Sequence, residues 1–315
     1  MVGFLDFEKQ VAALDTQIAE LREMGDDNAL DITGEIGRLE AKSAKLLADI
    51  YARLTPWQKA QVARHPERPH FKHYVSGLFD DWMPLAGDRN FGDDQAILGG
   101  LARFRGRRVM VLGHEKGDDT ASRLKHNFGM GKPEGYRKAI RLMQLADRFG
   151  LPVVTLVDTS GAVPGVQAEE RGQAEAIARS TEQCLALGVP MVAAIVGEGG
   201  SGGAIALAAA NRVLMFEHAV YSVISPEGCA SILWRTADKA ADAATAMKVT
   251  SADLLDLKII DHIVPEPVGG AHRAPEAAIR TLGDAIEREL AGLAGLSADA
   301  LRTTREEKFL AMGRL

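Results

Sequence analysis

The chain has 315 residues, of which 46% are hydrophobic and 25% charged, and its formal net charge is −6 at pH 7. This length allows one large domain, or a domain with an extension, and the negative charge gives no global attraction to nucleic acid or an anionic membrane. The two cysteines, Cys184 and Cys229, exclude a disulfide framework and a four-thiolate zinc site, and they favour a reducing compartment. No apolar run has the roughly 20 residues of a membrane span, and the first residues do not resemble a signal peptide. We therefore expect a cytoplasmic protein.

Two helices are predicted in the first 55 residues. Apolar side chains recur at spacings of four and three from Phe7 to Leu21, and again from Ile32 to Leu54 with Ser43 at one position of the pattern. A polar break, Gly25-Asp26-Asp27-Asn28, separates the two patterns. This arrangement predicts a helical hairpin or an arm that binds a partner.

A short helix and a connection are predicted next. Thr55 followed by Pro56 is typical of an N-cap and the first residue of a helix. Residues 65–92 are rich in His, Pro, Trp and Asp, and they predict an irregular connection into the main domain. We therefore divide the chain into a helical extension with its connection (1–92), a core (93–265) and a C-terminal helical segment (266–315).

From about residue 95, predicted strands alternate with predicted helices. This alternation predicts an α/β domain with mostly parallel strands, in which ligands bind beyond the carboxyl ends of the strands. Two glycine-bearing loops, 158–167 and 197–203, follow strands in this way. The predicted strands are 107–112, 152–157, 191–196, 213–216, 221–224 and 259–264, and the predicted helices are 133–149, 169–187, one from Pro226, 240–246 and 275–293.

The strongest functional signal is the stretch Gly197-Glu198-Gly199-Gly200-Ser201-Gly202-Gly203, which has five glycines in seven residues. It lies between a predicted buried strand and a predicted buried helix. Its glycines permit positive φ angles and a close approach of another molecule to the main chain. The helix that follows presents unpaired N–H groups and a partial positive charge. Such a site favours an anion or a developing oxyanion.

The same stretch also fits the nucleophile elbow G-x-S-x-G of serine hydrolases, with Ser201 as the nucleophile. Asp261 and His262 follow in the order of an α/β-hydrolase triad. Adjacent residues of one strand point to opposite faces, which disfavours a triad built from this pair. A serine hydrolase is one alternative, and a non-catalytic scaffold whose helical arm binds a partner is another.

Other motifs carry less weight. No lysine follows the glycines as in a nucleotide-binding Walker loop, and the acidic residue of a dinucleotide fingerprint is missing at the right distance. Met247-Lys248 is similar to the biotin attachment sequence of carrier domains, but its alanine-rich surroundings predict a helix and not a β-hairpin. Arg171, in the first turn of a predicted helix, is a candidate for orienting an anionic ligand. The scattered histidines lack metal-ligand spacing: His218, His262 and His272.

Several longer motifs recur in one known family. They are Asn127-Phe128-Gly129-Met130, Pro133-Glu134-Gly135-Tyr136-Arg137-Lys138-Ala139, Ala168-Glu169-Glu170-Arg171-Gly172-Gln173, the run from Tyr221 to Trp234, Glu266-Pro267 and Gly269-Gly270-Ala271-His272-Arg273. Together with the glycine stretch they resemble the carboxyltransferase alpha subunits of bacterial acetyl-CoA carboxylase. The resemblance covers nearly the whole chain, including the N-terminal helices.

This resemblance implies a crotonase-like α/β fold, a spiral of ββα units with an N-terminal helical extension. It implies transfer of a carboxyl group from carboxybiotin, held by a separate biotin carboxyl carrier protein, to acetyl-CoA, giving malonyl-CoA for fatty-acid synthesis. The implied partners are a beta subunit that carries a zinc ribbon, in an α2β2 heterotetramer, and biotin carboxylase. No cofactor is expected to be attached to this chain, and zinc is expected only on the beta subunit.

The resemblance also assigns roles to residues of the glycine loops. The backbone N–H groups of Gly202 and Gly203 are expected to form an oxyanion hole for the biotin carbonyl, with Ser201 as a small polar spacer. The other expected substrate contacts are Gly161, Ala162, Gly165, Arg171, Gly199, Gly200 and Ser201. No metal ligands are expected.

The loop 158–165 departs from the family pattern at two positions. Ser160 stands where the family has Pro or Ala, and Val163 stands where the family has Tyr. Loss of the proline is expected to loosen the turn slightly. Loss of the tyrosine removes a phenol that could bond to or stack on a substrate. These changes bear on how the loop shapes its pocket and not on the fold.

Overall fold

The computed structural model describes residues 3–25 and 33–313. The predicted hairpin turn at residues 26–28 and the predicted apolar position Ile32 lie outside these ranges. Within the described ranges, no helix combines the length and apolar character that crossing a bilayer requires.

Helices account for most of the described secondary structure. The α-helices are α1 (Lys9–Gly25), α2 (Thr33–Tyr51), α3 (Pro56–Ala63), α4 (Phe71–Leu78), α5 (Thr120–Lys125), α6 (Pro133–Arg148), α7 (Val166–Glu170), α8 (Gln173–Ala186), α9 (Ser201–Ala208), α10 (Pro226–Trp234), α11 (Ala240–Ala246), α12 (Ser251–Asp256), α13 (Pro275–Leu293) and α14 (Ala298–Ala311). Short 3-10 turns lie at Asp6–Glu8, Asn127–Gly129 and Ala237–Lys239.

One twisted sheet forms the centre of the molecule. Its strands are β1 (Phe79–Pro84), β2 (Ile97–Phe104), β3 (Arg107–His114), β4 (Val153–Thr159), β5 (Met191–Gly200), β6 (Arg212–Phe216), β7 (Val220–Ser222) and β8 (His262–Val264). Their order is β1-β2-β3-β4-β5-β6-β8, and β7 pairs with the last residues of β5. The first three strands are antiparallel, and the others pair in parallel. The prediction of a mostly parallel sheet is confirmed for the part that follows β3.

The central strands are buried on both faces. Every residue of β4 is buried, as is β5 apart from Glu198, because helices cover the sheet on each side. Strands of this kind read as continuous apolar runs in the sequence, which is why they are easy to predict. The main apolar core extends from Phe71 in α4 to Leu301 in α14, and a second, small cluster contains Ala60, Ala63, Val220 and Val249.

The predicted helical hairpin at the N-terminus is confirmed as two helices. Val11 and Ile18 of α1 are buried, and Ser43 of α2 donates a hydrogen bond to Asp15 over 2.7 Å. Glu8 anchors the arm, since its buried carboxylate accepts bonds from Tyr51 and from Arg273 of the C-terminal segment.

The prediction of an irregular connection over 65–92 is wrong for residues 71–84, which form α4 and β1. Phe71, Tyr74 and Val75 recur at helical spacing and are buried, and this pattern is obscured by the surrounding His and Trp residues. Strand β1 bonds to β2 across the predicted boundary at residue 92. The three-part division of the chain stays a prediction.

Further boundaries differ from prediction, among them β7, which ends at Ser222 and not at Ile224, and β8, which begins at His262 and not at Ile259. The helix predicted over 169–187 is two helices, α7 and α8, because Gly172 adopts a left-handed conformation with φ of 76°. The strand predicted to end at Val196 continues to Gly200 as β5. By contrast, the capping of α3 by Thr55 and the bounds of α13 agree with prediction.

Candidate active site

The glycine stretch is a direct junction between β5 and α9, and not the free loop that its composition suggests. Gly199 and Gly200 pair with Tyr221 and Ser222 of β7, which extends the strand by a few residues. Helix α9 then begins at Ser201 without an intervening turn. Gly202 and Gly203 therefore lie in the first turn of α9, where backbone N–H groups have no partner within the helix.

Two glycines of the junction are required by close packing against the loop 158–165. A Cβ atom on Gly200 would lie 2.2 Å from the carbonyl oxygen of Ser160. A Cβ atom on Gly203 would lie 2.7 Å from the carbonyl carbon of Gly161 and 2.8 Å from the nitrogen of Ala162. Both obstacles are main-chain atoms that cannot rotate away. The predicted site residues of the two glycine loops are thus brought together in space.

Gly202 has more freedom, since a Cβ atom there would meet only the side chain of Ile177, at 3.2 Å. A Cβ atom on Gly199 would lie 2.7 Å from the ring of Tyr221. Ser201 is exposed and has a φ of 54°, a left-handed conformation that is rare for a residue with a side chain.

The loop 158–165 is held mainly by its own backbone and by Gln173. Val163 donates its N–H to the carbonyl of Gly131 over 3.0 Å, and the Gln173 side chain donates to the carbonyls of Gly131 and Val163. Gly161 is buried, and Gly165 is exposed with a φ of 120°. These bonds do not involve the side chains of Ser160 and Val163, so the two departures from the family pattern leave the anchoring of the loop unchanged.

Arg171 lies behind this loop in a charged contact. Its guanidinium pairs with the buried carboxylate of Glu134, at 3.2 Å from Nε to Oε2, and Phe91 covers it at 4.6 Å from the ring centre. Arg137 lies 3.9 Å from the same carboxylate. The structure thus shows a structural partner for Arg171, and its contact with a substrate stays a prediction.

An apolar cavity of about 450 Å³ borders the junction. Its polar groups are Ser201, Ser222 and the rim residue Lys248, and among the described residues no histidine or carboxylate lines it. The apolar part of its lining is Ile205, Tyr221, Val223, Met247, Leu254, Leu257 and Ile259. The cavity suits a ligand with an apolar body and a polar end that reaches the first turn of α9.

The residues of the alternative hydrolase triad are used elsewhere. The Asp261 carboxylate accepts bonds from the N–H of Val213 and from Lys308, and the His262 ring lies 3.3 Å from Glu289. Neither side chain lines the cavity beside Ser201. The left-handed conformation of Ser201 is compatible with an elbow, but within the described part of the chain no histidine or carboxylate shares its cavity.

A cluster of charged side chains lies at the carboxyl ends of β4 and β5, and the sequence interpretation did not include it. Lys116 Nζ lies 2.7 Å from Asp158 Oδ1 and 2.9 Å from Glu198 Oε2. Arg64 donates to Glu198 over 2.7 Å and also pairs with Glu227. The cluster borders a second cavity, of about 240 Å³. A carboxylate directly after a buried strand, as at Asp158, and another within the glycine stretch, at Glu198, were the available signals.

The electrostatics of the cluster keep its carboxylates ionised. Burial alone would raise the pKa of Asp158, but the ammonium of Lys116 and the neighbouring His70 hold that pKa well below its usual value. The pKa of Glu198 is lowered in the same way against its burial by Lys116 and Arg64. Burial lowers the pKa of His114 to about 4, so that this ring, which lies 3.4 Å from the N–H of Asp158, is neutral at pH 7.

The family motif Asn127-Phe128-Gly129 packs against the same strand end. Its three residues all have positive φ angles, of 47°, 54° and 77°. A Cβ atom on Gly129 would lie 2.8 Å from the carbonyl oxygen of Asp158. The described residues contain no group of three His, Cys, Asp or Glu side chains placed to hold a metal ion.

Sequence comparison places the chain in a family. The family described as "Acetyl co-enzyme A carboxylase carboxyltransferase-like" matches residues 4–313. A protein of Sphingopyxis alaskensis named acetyl-coenzyme A carboxylase carboxyl transferase subunit alpha is 86% identical over 314 residues, covering 100% of both chains. A protein of the same name from Zymomonas mobilis is 70% identical over 313 residues, which cover 99% of this chain and 100% of the relative.

Solved structures of other proteins share the fold. The transcarboxylase 12S structure with methylmalonyl-coenzyme A bound matches with a TM-score of 0.57 and 19% identity, over 71% of this chain and 42% of that one. A Pseudomonas malonate decarboxylase hetero-tetramer in complex with coenzyme A matches with a TM-score of 0.56 and 17% identity, over 69% and 86%. The prediction of a crotonase-like α/β fold is confirmed. Since the family match and the relatives extend over essentially the whole chain, the chain belongs to the acetyl-CoA carboxylase carboxyltransferase family, as a member of its alpha-subunit type.

Proposed function

We propose that this chain forms one half of an active site that transfers a carboxyl group from carboxybiotin to acetyl-CoA, giving malonyl-CoA. The observation that carries the proposal is the β5–α9 junction, where glycines of two loops pack main chain against main chain. Such packing fixes the first turn of α9, in which Gly203 is buried and Gly202 lines an apolar cavity. Family membership supplies the reaction class.

The chemistry needs stabilisation of negative charge more than it needs a side-chain acid or base. Carboxybiotin, as a substrate on its carrier protein, supplies the carboxyl group, and negative charge develops on the ureido oxygen when that group leaves. The same oxygen then takes the proton that the acetyl-CoA methyl group loses before its carbon bonds to the carboxyl carbon. The amides of Gly202 and Gly203 are proposed to donate to this oxygen, and the positive end of the α9 dipole adds to the effect. Ser201 is then a spacer whose hydroxyl takes no part in the reaction.

The substrate contacts follow from the cavity and the loop. The apolar cavity beside Gly202 fits the ring system of biotin, with Tyr221 and Ile205 in its wall. The loop residues Gly161, Ala162 and Gly165 are proposed to close the site from the other side. Arg171 is proposed to act through the loop, given that Glu134 already pairs with its guanidinium.

A beta subunit is proposed to complete the site and to provide the binding of acetyl-CoA. Val223, in the wall of the cavity beside the junction, is 81% exposed, and Ile232 of α10 is 71% exposed. Apolar groups this exposed next to a candidate site are typical of a protein interface. The proposed working unit is a cytoplasmic α2β2 heterotetramer that operates with the biotin carboxyl carrier protein and biotin carboxylase, with zinc on the beta subunit only.

The direct test is coexpression of this chain with a family beta subunit. The purified complex is expected to carboxylate biocytin at the expense of malonyl-CoA, the reverse of the proposed reaction. A well-formed complex without this activity would contradict the proposal.

Two controls separate the alternatives. A serine hydrolase would retain esterase activity in the isolated chain and would react at Ser201 with a fluorophosphonate, whereas the proposed mechanism predicts neither. A scaffold without catalytic function would keep both complex formation and turnover when Gly203 is enlarged to valine.

A further inference from the structure

The pairing of β4 with β5 contains a bulge immediately before the β5–α9 junction. Val157 pairs with Ile195, and the next pair is Thr159 with Gly199. While β4 advances by two residues, from 157 to 159, β5 advances by four, from 195 to 199. The two extra residues of β5 change the direction in which the following glycines leave the sheet. Bulges are known to re-aim residues next to active sites.

Side chains bond the backbone groups that the bulge removes from the ladder. The carbonyl of Val196 accepts a bond from Arg68 Nη2 over 2.8 Å, and the N–H of Glu198 donates to Asp158 Oδ1 over 3.0 Å. Arg68 is itself fixed by a bidentate pair with the buried carboxylate of Glu266. Without these partners, the buried amide and carbonyl would be left without a hydrogen bond, which is unfavourable.

Lys116 joins the two strands at this bulge. Its ammonium contacts the Asp158 carboxylate of β4 and the Glu198 carboxylate of β5 at the same time. Gly197 leaves room for the contact, since a Cβ atom there would lie 2.5 Å from Asp158 Oδ1. The three charges form a compact group in which one cation neutralises two carboxylates that would otherwise repel each other.

We propose that Lys116 is a positioning residue for the carboxyl transfer, since it holds Asp158 against Glu198 and thereby fixes the bulge that directs Gly199–Gly203 into the site. This inference rests on the proposed function of the glycine amides. Lys116 contacts neither the substrate nor the reacting atoms in this proposal. It sets the geometry of β5, which leads into the glycines whose amides bind the substrate.

The placement of the cluster argues for a role beyond stability. A buried ion pair contributes little net stability compared with apolar residues of similar volume. Here Lys116 and Asp158 contact Glu198, which is three residues before the start of α9 at Ser201. Positions displaced by about 1 Å at a reacting centre can reduce a rate about 100-fold. Removing the cation while leaving both carboxylates therefore affects turnover in a way that depends on their ionisation.

The sign of that dependence follows from the surrounding groups. In the native protein both carboxylates are ionised, and no titration of the cluster is expected near neutral pH. Without Lys116 the two carboxylates repel, and the pKa of one of them rises. The variant is then closest to its native geometry at low pH and loses it as the pH rises through this raised pKa. Within the described residues, the charged and titratable groups that face the two carboxylates are Arg64, Arg68, His70, Tyr74, His114, Lys116 and Glu227.

The experiment compares Lys116→Met, Lys116→Arg and the control Lys308→Met in complexes with the beta subunit. Lys308 is as buried as Lys116, with 15% against 16% of the side chain exposed, and it pairs with Asp261, away from the glycine junction. Steady-state kcat and KM are measured from about pH 6 to about pH 9, the range in which a raised carboxyl pKa would show. Thermal unfolding of each complex is measured in parallel.

The expected result separates turnover from stability. Lys116→Met lowers kcat about 100-fold at neutral pH with a small change in KM, and its kcat falls further as the pH rises. Lys116→Arg restores most of kcat, because the guanidinium also bridges two carboxylates. Lys308→Met lowers the unfolding temperature but leaves kcat and its pH profile unchanged.

Three outcomes overturn the inference. The first is a kcat in Lys116→Met that equals the native value. The second is that Lys116→Met and Lys308→Met lose the same stability and have the same kcat as each other. The third is an inactive native complex. This result would contradict the proposed function itself, and it can be told apart from the other two because it is seen without any substitution.

If Lys116→Met does not fold, the double variant Lys116→Met with Glu198→Gln removes the repulsion and is expected to show a reduced kcat without pH dependence. A native kcat in the double variant contradicts the positioning role.

Discussion

The two ends of strand β5 use buried polar groups in opposite ways. At the amino end, Arg305 of α14 donates to the carbonyls of Leu185, Leu187 and Val189. Its guanidinium also bonds to Asn211, whose side-chain oxygen accepts from the first N–H of β5. At the carboxyl end, ion pairs surround a bulge, and two cavities open beside it.

This contrast separates a purely structural use of buried polar groups from one that borders the candidate site. At the amino end, one fully buried side chain gives most of its hydrogen bonds to main-chain carbonyls. At the carboxyl end, ion pairs line a cavity beside the glycine junction, and both ring nitrogens of His70 lack a hydrogen-bond partner among the described residues. Substitutions at the two ends are therefore expected to have different consequences.

The largest effect is expected for Gly203→Ala at the carboxyl end. The added Cβ would lie 2.7 Å from the main chain of Gly161, so the loop 158–165 must move away from α9. We expect carboxyl transfer to fall about 100- to 1000-fold, the scale of losing an oxyanion contact. Gly202→Ala is the matched control, because only the side chain of Ile177 opposes it, and it is expected to stay within a few-fold of the native rate. Equal rates in the two variants, measured in the biocytin assay, would show that the packing does not matter.

A smaller effect, on stability alone, is expected for Arg305→Met at the amino end. Several buried carbonyls lose their donor, and the free energy of unfolding is expected to fall by about 2 kcal/mol. Urea titration of the complex measures this change. The kcat of the folded complex is expected to remain native, since α14 lies at the other end of β5. If Arg305→Met had native stability and a reduced kcat, the amino end of β5 would have a functional role and not a purely structural one.

The smallest effect is expected for Ser201→Gly, compared with Ser201→Ala. Glycine adopts the φ of 54° without a steric penalty, which favours the folded state. Its larger conformational entropy in the unfolded chain offsets part of this gain, so the free energy of unfolding is expected to rise by about 0.5 kcal/mol. Alanine keeps the strain and is expected to be neutral. Both variants remove the hydroxyl, and both are expected to retain carboxyl transfer within a few-fold. Loss of activity in both variants would support a nucleophilic serine.

The sequence predicts the central part of the fold because its signals are local. Buried parallel strands are continuous apolar runs, and Thr55-Pro56 or Pro275 mark helix starts through their own chemistry. Helix α4 and strand β1 are missed because they mix apolar with polar and aromatic residues, and β2 is missed because Gly99 and Gly100 interrupt its apolar run. The burial of α4 depends on packing against α13, which is distant in sequence.

The candidate site was predicted in the same uneven way. The glycine loops are visible because they combine an unusual composition with their position after strands. The bulge of β5 is not, since it depends on the register between two strands and on Arg68 and Lys116, which come from elsewhere in the chain. Nothing local to Lys116 distinguishes it from a surface lysine.

The tight packing of Gly200 and Gly203 has a consequence for mapping this protein by mutational scanning. If main-chain amides provide the chemistry, the chemical character of a replacement at these two positions does not matter. Activity is then expected to fall with the volume of the new side chain. Reagents that label nucleophiles, acids or bases pass over such a centre. In a scan ordered by side-chain volume, alanine is expected to abolish function at Gly203 and to be tolerated at Gly202. Such a scan would locate the site, whereas a search for reactive side chains would find no labelled residue there.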